Sequence, residues 1–289
     1  MNTTSRPLPP IFVSHGSPMI ALQPGAAGAF LARLGPALEA AFARPRAIVA
    51  VSAHTLARVH AVLGAPRHET VHDFGGFPEA LYRVRYDAPG DPALAQRIGE
   101  RLAAAGLDAP VLPQGGLDHG IWTALMYAWP GADVPVVPVA MRPMDPPAAQ
   151  FAFGQALASL ADEGVLVLGT GSITHNLRRV AQTMQFHDAP PALPEIAESA
   201  AFRAWMAGRS AARDWDALFD YRARAPHAVD MHPTDEHLLP WYVAAGAGGR
   251  DHAPLRLHDS VTHGSLGMDV YAFGPRAAAL AAALAPASG

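Results

Sequence analysis

The chain has no cysteine among its 289 residues. Disulfides, thiolate nucleophiles, iron–sulfur clusters and cysteine-ligated zinc are therefore excluded. Lysine is absent too, since all 21 basic residues are arginines. This second absence excludes Schiff-base chemistry on a lysine, and with it pyridoxal phosphate enzymes and the lysine of a phosphate-binding loop. The sequence also lacks the G-x-S-x-G, H-E-x-x-H and G-x-G-x-x-G patterns of other enzyme classes.

Positive charge and long apolar runs are also scarce. The net charge of −4 does not indicate the positively charged surface that nucleic-acid-binding proteins carry. No apolar run is long enough to span a bilayer, the Ala-rich stretch from Ala277 to Ala285 included, and the N-terminus lacks a signal-peptide pattern. With 50% hydrophobic and 16% charged residues, the chain can bury a large core. We therefore expect a soluble cytoplasmic protein without nucleic-acid or membrane partners.

Short apolar runs bounded by turn residues alternate with helical patterns. The strand candidates are Ile11–Ser14, Ala47–Ser52, His60–Leu63, Val134–Ala140, Val165–Gly169 and Leu255–Leu257. The helix candidates are Gly28–Arg44, Pro92–Ala105, Ile121–Trp129, Pro147–Glu163, Ile196–Ala207 and Glu236–Ala245. This alternation predicts an α/β fold whose largely parallel sheet is covered by helices on both faces. We expect a surface loop at the Pro-rich Ala189–Pro194, and one catalytic domain over residues 1–289 because histidine motifs lie on both sides of that loop.

Two of the predicted buried strands end on histidines. "IFVSHGSP" places His15 directly after the first strand, and "AIVAVSAH" places His54 just beyond the second. Ligands of such sheets bind beyond the carboxyl ends of the strands. Each ring by itself could be a structural histidine whose hydrogen bonds are satisfied at the end of a strand. The repeated context favours a metal site at the strand ends, because neutral imidazole is the commonest metal ligand.

A third ligand candidate lies in "DEHLLPWY", residues 235 to 242. Thr234 is a plausible helix N-cap, which would place Asp235 and Glu236 in the first turn, where the helix dipole favours carboxylates. Neighbouring side chains on a helix point about 100° apart, so Glu236 and His237 cannot both face one metal. His237 is the better candidate, because a role at the helix start accounts for the two carboxylates but not for the histidine.

Three further histidines lie in Gly-rich or acidic contexts. "LGTGSITHN" leads to His175 through an approach that looks flexible, and "LDHGIW" places His119 at a loop-to-helix junction. Asp118 either orients the His119 ring or caps the following helix. One metal shell has no room for all five histidines, so proton transfer suits His175 and His119. His72, in "VHDFGGFP", is predicted to line a substrate pocket.

Together these motifs, with "HPTDEHLLPWYVAAGA" and "HGSLGMDVYAF", resemble the class III extradiol ring-cleaving dioxygenases, and within them the DOPA 4,5-dioxygenase type. The resemblance runs from about residue 11 to residue 273. It implies one α/β domain with a central mixed sheet, and a non-haem Fe(II) enzyme that opens small aromatic diols with O₂ to muconic semialdehyde-type products. The ligands would be His15, His54 and His237, His175 would be the acid–base, and His119 would face the substrate and donate to oxygen.

Some alternatives remain open at the level of the sequence. Three neutral ligands also suit zinc, either in place of iron or in a zinc-dependent hydrolase that activates water. A non-catalytic metal-binding protein of the same fold is the third reading. An acidic substrate would need a nearby arginine, and Arg178 is the candidate.

Overall fold

The fold is that of a computed structural model, which describes residues 7–183 and 193–285. Its strands are β1 (Ile11–Ser14), β2 (Ala47–Ser52), β3 (Ala61–Leu63), β4 (Arg67–Thr70), β5 (Ala88–Pro89), β6 (Val111–Leu112), β7 (Gly116–Leu117), β8 (Val136–Ala140), β9 (Val165–Gly171), β10 (Leu255–His258), β11 (Val261–Thr262), β12 (Leu266–Gly267) and β13 (Val270–Ala272). Its α-helices are α1 (Gly25–Ala41), α2 (Glu79–Tyr82), α3 (Pro92–Ala104), α4 (His119–Ala128), α5 (Pro147–Leu157), α6 (Leu177–Thr183), α7 (Ala197–Ala212), α8 (Trp215–Phe219), α9 (Tyr221–Arg224), α10 (Ala228–Met231), α11 (Leu239–Gly248) and α12 (Ala277–Leu284). Short 3₁₀ helices cover Pro18–Ala21 and Ala158–Glu163.

Eight strands form the main sheet, in the order β10-β13-β1-β9-β2-β8-β3-β6. The four central strands, β1, β9, β2 and β8, run parallel, whereas β13 pairs antiparallel with β1 and β3 pairs antiparallel with β8. The sheet is therefore mixed and largely parallel, which confirms the predicted fold class. In the register of the centre, Ser14 lies opposite Gly171 and Ser52 opposite Thr170, so the carboxyl ends of β1, β9 and β2 meet at one edge.

Alternate residues of each central strand enter two different cores, because successive side chains of a strand point to opposite faces. In β2, Ile48 and Ala50 pack with α1, α4 and α12, whereas Val49 and Val51 pack with α3, α5 and α11. This explains why the strand is apolar throughout instead of alternating. No helix among the described residues is long and apolar enough to cross a membrane.

The predicted helices form with ends shifted by up to about five residues, and two of the differences alter the local structure. The helix predicted over residues 147 to 163 is α5 followed by a 3₁₀ segment. The helix predicted to begin at Glu236 begins at Leu239, after a turn in which the amides of Leu238 and Leu239 both bond to the carbonyl of Asp235. Of the expected Pro-rich loop Ala189–Pro194, only Leu193 and Pro194 lie within the described residues.

A buried arginine fastens α7 to the end of the sheet. Arg203, 4% exposed, contacts Asp269 at 2.8 Å and Glu195 at 2.9 Å, and it also contacts Asp259. Burial raises the pKa of Asp269, while Arg203 counteracts the rise. We expect Arg203→Ala to lower the free energy of unfolding by about 3–5 kcal/mol, because it leaves a buried carboxylate without its main partner.

Urea unfolding measures this effect, with Arg209→Ala as the matched control. Arg209 lies on the same helix, with a side chain 47% exposed and paired with Asp214 at 2.9 Å. Exposed pairs contribute little, so the control should change the unfolding free energy by less than about 1 kcal/mol. Equal effects of the two substitutions would contradict a stabilising role for the buried cluster.

Candidate active site

His15 follows β1 directly, with its amide bonded to the Gly171 carbonyl at 2.9 Å. Its Nδ1 lies 3.0 Å from Thr170 Oγ1, and Thr170 Oγ1 lies 2.7 Å from the Gly120 carbonyl. A carbonyl can only accept, so the single hydroxyl proton of Thr170 points to Gly120, and Thr170 Oγ1 accepts from His15 Nδ1–H. The Nε2 of the neutral His15 ring therefore carries a free lone pair.

His54 lies two residues beyond the end of β2 and is held by Ser52. Its amide donates to Ser52 Oγ at 3.2 Å, and Ser52 Oγ donates to Asp118 Oδ1 at 2.7 Å. The Nδ1 of His54 lies 3.6 Å from a carboxylate oxygen of Asp73. Backbone and ring are both held so that Nε2 faces His15.

His237 lies in the turn before α11, close to the end of β9. A Cβ on Gly171 would lie 2.1 Å from the His237 carbonyl oxygen, so only glycine in β9 permits this approach. Nδ1 of His237 lies 3.0 Å from Glu236 Oε1, which also accepts from the Thr234 hydroxyl at 3.0 Å. The expected capping by Thr234 is wrong, because its hydroxyl bonds Glu236 and the helix starts later.

The Nε2 atoms of these three rings converge. His54 Nε2 lies 3.1 Å from His15 Nε2 and 3.3 Å from His237 Nε2. For metal–nitrogen bonds of about 2.0–2.1 Å, two donors lie about 3.0 Å apart at 90° and about 3.4 Å apart at the tetrahedral angle. The two observed separations, 3.1 and 3.3 Å, fall between these values, so both pairs of donors are compatible with either geometry.

The three rings are neutral. Burial, followed by the neighbouring histidines, lowers the pKa of His15 and His237 well below the ordinary value. Burial and His119 lower the pKa of His54 to about 4, although Asp73 and Glu236 oppose the shift. With the protons of His15 and His237 on Nδ1, the Nε2 lone pairs of both rings face Nε2 of His54, at 3.1 and 3.3 Å. A cation between them satisfies this arrangement, and neutral imidazoles held by acceptors are the usual metal ligands.

Gly120, in the first turn of α4, provides a test of how tightly the His15 ring is held. A Cβ there would lie 2.9 Å from His15 Cε1, His15 Nδ1 and Ser52 Oγ. We expect Gly120→Ala to displace the His15 ring and weaken metal binding by at least about tenfold, the size of effect found for residues that support ligands. Competition with a chromogenic chelator measures the affinity.

The matched control for that substitution is Gly208→Ala. Gly208 lies in α7, and a Cβ added there would have no atom within 4 Å, so the extra methyl group should raise stability without changing metal affinity. Unchanged metal affinity in Gly120→Ala would show that the His15 ring has room to move.

His119 opens α4 and packs against the three-histidine site, with its ring centroid 4.0 Å from that of His54. Its Nδ1 lies 3.0 Å from both carboxylate oxygens of Asp73, and its amide donates to Asp73 Oδ1 at 2.9 Å. Asp118 instead accepts from the Ile121 amide at 3.2 Å and from Ser52. Of the two roles open to Asp118, the structure therefore shows helix capping, and Asp73 orients the ring.

His175 lies on the opposite side of the site and stacks on His237, with centroids 3.4 Å apart and planes 6° apart. The residues before it, Gly169 to Thr174, are buried, and the Ser172 amide bonds to the His237 carbonyl at 2.8 Å. The expectation of a flexible approach is therefore wrong. Burial, and then His232, lower the pKa of His175 to about 3, so its ring is neutral.

A cavity of about 620 Å³ opens above these rings. It has the size of a small-molecule site and is bounded mainly by apolar groups, including Phe74, Phe77, Leu177 and Leu266. His54, His119, His175 and His237 all line it.

Two predicted substrate-binding residues lie outside this lining. Nε2 of His72 lies 3.2 Å from the Val84 carbonyl, and its ring packs among Phe74, Tyr82 and Trp122. Arg178 is exposed in the first turn of α6. Their substrate-binding roles stay predictions that this placement does not favour.

Sequence reasoning missed two lining residues, Asp73 and His263. His263 is 8% exposed, has φ of +55° and, within the described part of the chain, has no partner for its buried Nδ1. A left-handed conformation at a histidine is uncommon and marks it as a candidate for substrate contact. "THGS" carried no signal for this, whereas Asp73, beside the predicted His72, was discoverable from "HDFGGFP".

Comparison with known proteins finds relatives over most of the chain. The family model described as the catalytic LigB subunit of aromatic ring-opening dioxygenase matches residues 9–274. The chain is 34% identical over 265 residues to a 4,5-DOPA dioxygenase extradiol of Beta vulgaris, covering 91% of this chain and 95% of the relative. It is 42% identical over 179 residues to the protein of that name from Escherichia coli K12, covering 61% of this chain and 64% of the relative.

A solved structure shows the same fold. The crystal structure of an uncharacterized protein from Escherichia coli K12 superposes with a TM-score of 0.71 at 28% identity, covering 92% of this chain and 100% of that one. The resemblance drawn from the sequence motifs is thus confirmed over nearly the whole chain. With a cluster of histidines beside the ends of its central strands, the chain belongs to the LigB family of aromatic ring-opening dioxygenases.

Proposed function

We propose that the chain opens the ring of a small catechol beside the diol with O₂, giving a muconic semialdehyde-type product. The enzyme class follows from the family, and one observation supports catechol as the substrate class. Three Nε2 atoms, of His15, His54 and His237, converge beside a cavity that two further histidines line from different sides. The relatives named for DOPA, itself a catechol, support a substrate of this class.

We propose that His15, His54 and His237 hold Fe(II), and that zinc fits the same donors. The donor atoms of His15, His54 and His119 lie within 4.8 Å of one another, and so do those of His175, Glu236 and His237. We prefer the set of His15, His54 and His237 because its facing Nε2 atoms lie 3.1 and 3.3 Å apart, and because the family resemblance gives these three residues as the ligands. When bound, Fe(II) supplies the Lewis acidity that favours an ionised diol and the redox chemistry that O₂ requires.

The protein's own side chains provide for binding and proton transfer. Phe74, Phe77 and Leu266 offer apolar surface to an aromatic ring and exclude water from it. His175, neutral and lining the cavity, accepts a diol proton and returns it as the ring opens. His119 faces the substrate from the other side, with Asp73 behind it.

Charge favours some catechols over others. Asp73 and Glu236 line the cavity, and no arginine is found among the described lining residues. We therefore expect neutral or zwitterionic catechols to bind better than those with a net negative charge.

Oxygen uptake tests this proposal. Protein loaded anaerobically with Fe(II) and given catechol, 4-methylcatechol or DOPA should consume O₂ and turn yellow, whereas zinc-loaded and metal-free samples should do neither. Ester cleavage without O₂ uptake would favour the zinc-dependent hydrolase, and neither activity would favour a non-catalytic metal-binding protein.

A further inference from the structure

The carboxylate of Asp73 contacts two members of the site at once. Both of its oxygens lie 3.0 Å from His119 Nδ1, and one of them also accepts from the His119 amide at 2.9 Å. The other lies 3.6 Å from Nδ1 of His54. Asp73 thus joins the histidine that faces the substrate to a proposed metal ligand.

Asp73 is held in this place by its own loop. The Val71 amide donates to the Leu117 carbonyl at 2.8 Å, and Trp122 Nε1 donates to the Val71 carbonyl at 3.0 Å. These bonds tie the start of the Gly-rich loop to β7 and to α4, the helix that carries His119. The Asp73 side chain is 24% exposed and opens onto the cavity.

We infer that Asp73 is a positioning residue that fixes the His119 ring and keeps the proton of its neutral form on Nδ1, so that Nε2 presents a lone pair to the substrate. An ionised carboxylate can only accept, so its contact with Nδ1 selects this tautomer. His119 then accepts a hydrogen bond from the substrate, in contrast to the donating role that the resemblance implies. The catalytic consequence of this inference rests on the proposed function. The tautomer of His119 does not depend on it.

Histidine NMR tests the tautomer directly. In the zinc-loaded protein labelled with ¹⁵N-histidine, we expect His119 to show a protonated Nδ1 and an unprotonated Nε2. Asp73→Ala should convert this signal to a mixture of tautomers or to Nε2–H, whereas Asp73→Asn, which keeps an acceptor, should retain Nδ1–H. An unchanged His119 signal in Asp73→Ala would overturn the inference.

Kinetics of the iron-loaded enzyme provide the second readout. At saturating Fe(II), we expect Asp73→Ala to lower kcat per metal-loaded molecule by about 10- to 100-fold, the usual cost of losing such a partner, with KM little changed. Sodium formate should restore part of the loss, because the vacated space opens onto the cavity. A purely structural role predicts instead a lower melting temperature, an unchanged kcat per folded and metal-loaded molecule, and no rescue.

Asp87→Asn is the matched control. Asp87 accepts from the Thr70 amide at 2.9 Å and the Thr70 hydroxyl at 2.8 Å and does not line the cavity, so its loss should leave kcat and the His119 signal unchanged. If the wild type opens no catechol but Asp73→Ala changes the tautomer, the proposed function fails and the positioning role stands. If the wild type opens catechols and Asp73→Ala matches it in both readouts, the positioning role fails alone.

Discussion

His175→Ala should lower turnover by about 100- to 10,000-fold, the typical cost of removing a positioned general base. The proposed ligands already supply three donors, and His175 lies beyond them, stacked on His237 with centroids 3.4 Å apart. We therefore expect the variant to retain its metal and to bind catechol. Steady-state turnover with metal analysis and a catechol titration separates chemistry from binding.

His252→Ala, at an exposed position, is the control for that experiment and should leave turnover unchanged. Turnover of His175→Ala within a few-fold of wild type would show that another group moves the proton. Loss of metal from the variant would make His175 a ligand. A merely packed residue would lower the melting temperature and preserve activity per folded molecule.

His237→Ala should lose its metal to a chelator and, with it, all turnover above background. Its Nε2 is one of the three converging donors, 3.3 Å from that of His54. Glu236→Ala should retain metal with an affinity lowered by only about 10- to 100-fold, because Glu236 supports the ring through Nδ1 at 3.0 Å. Metal content after dialysis against increasing chelator measures both variants.

The opposite ranking would contradict this assignment. If Glu236→Ala loses metal and His237→Ala keeps it, the site uses two histidines and a glutamate, which is the facial triad of other non-haem iron enzymes.

The residues at the strand ends could be predicted from sequence because short-range patterns determine them. β1 and β2 have the predicted bounds, and parallel pairing through β9 brings His15 and His54 together. The spacing of apolar residues and the turn residues that bound each run are enough to locate these strands from the local sequence.

Other features depend on contacts between distant segments. The turn before α11 places the His237 carbonyl against Gly171, which lies 66 positions earlier, and a local helical pattern carries no information about that contact. The antiparallel strand β13 is only three residues long and is stabilised by its pairing with β1. The role of Asp73 depends on a partner 46 positions away, which no spacing rule reveals.

Isotope labelling tests the central claim, that this three-histidine site inserts O₂ into a catechol ring. Iron-loaded protein should be given a catechol under ¹⁸O₂ and the product analysed at once by mass spectrometry. We predict that both labelled atoms enter one ring-opened product, one in the carboxylate and one in the aldehyde before it exchanges with water, and that His237→Ala forms no such product. A ring-opened product without ¹⁸O, or equal labelling by His237→Ala, would contradict the account.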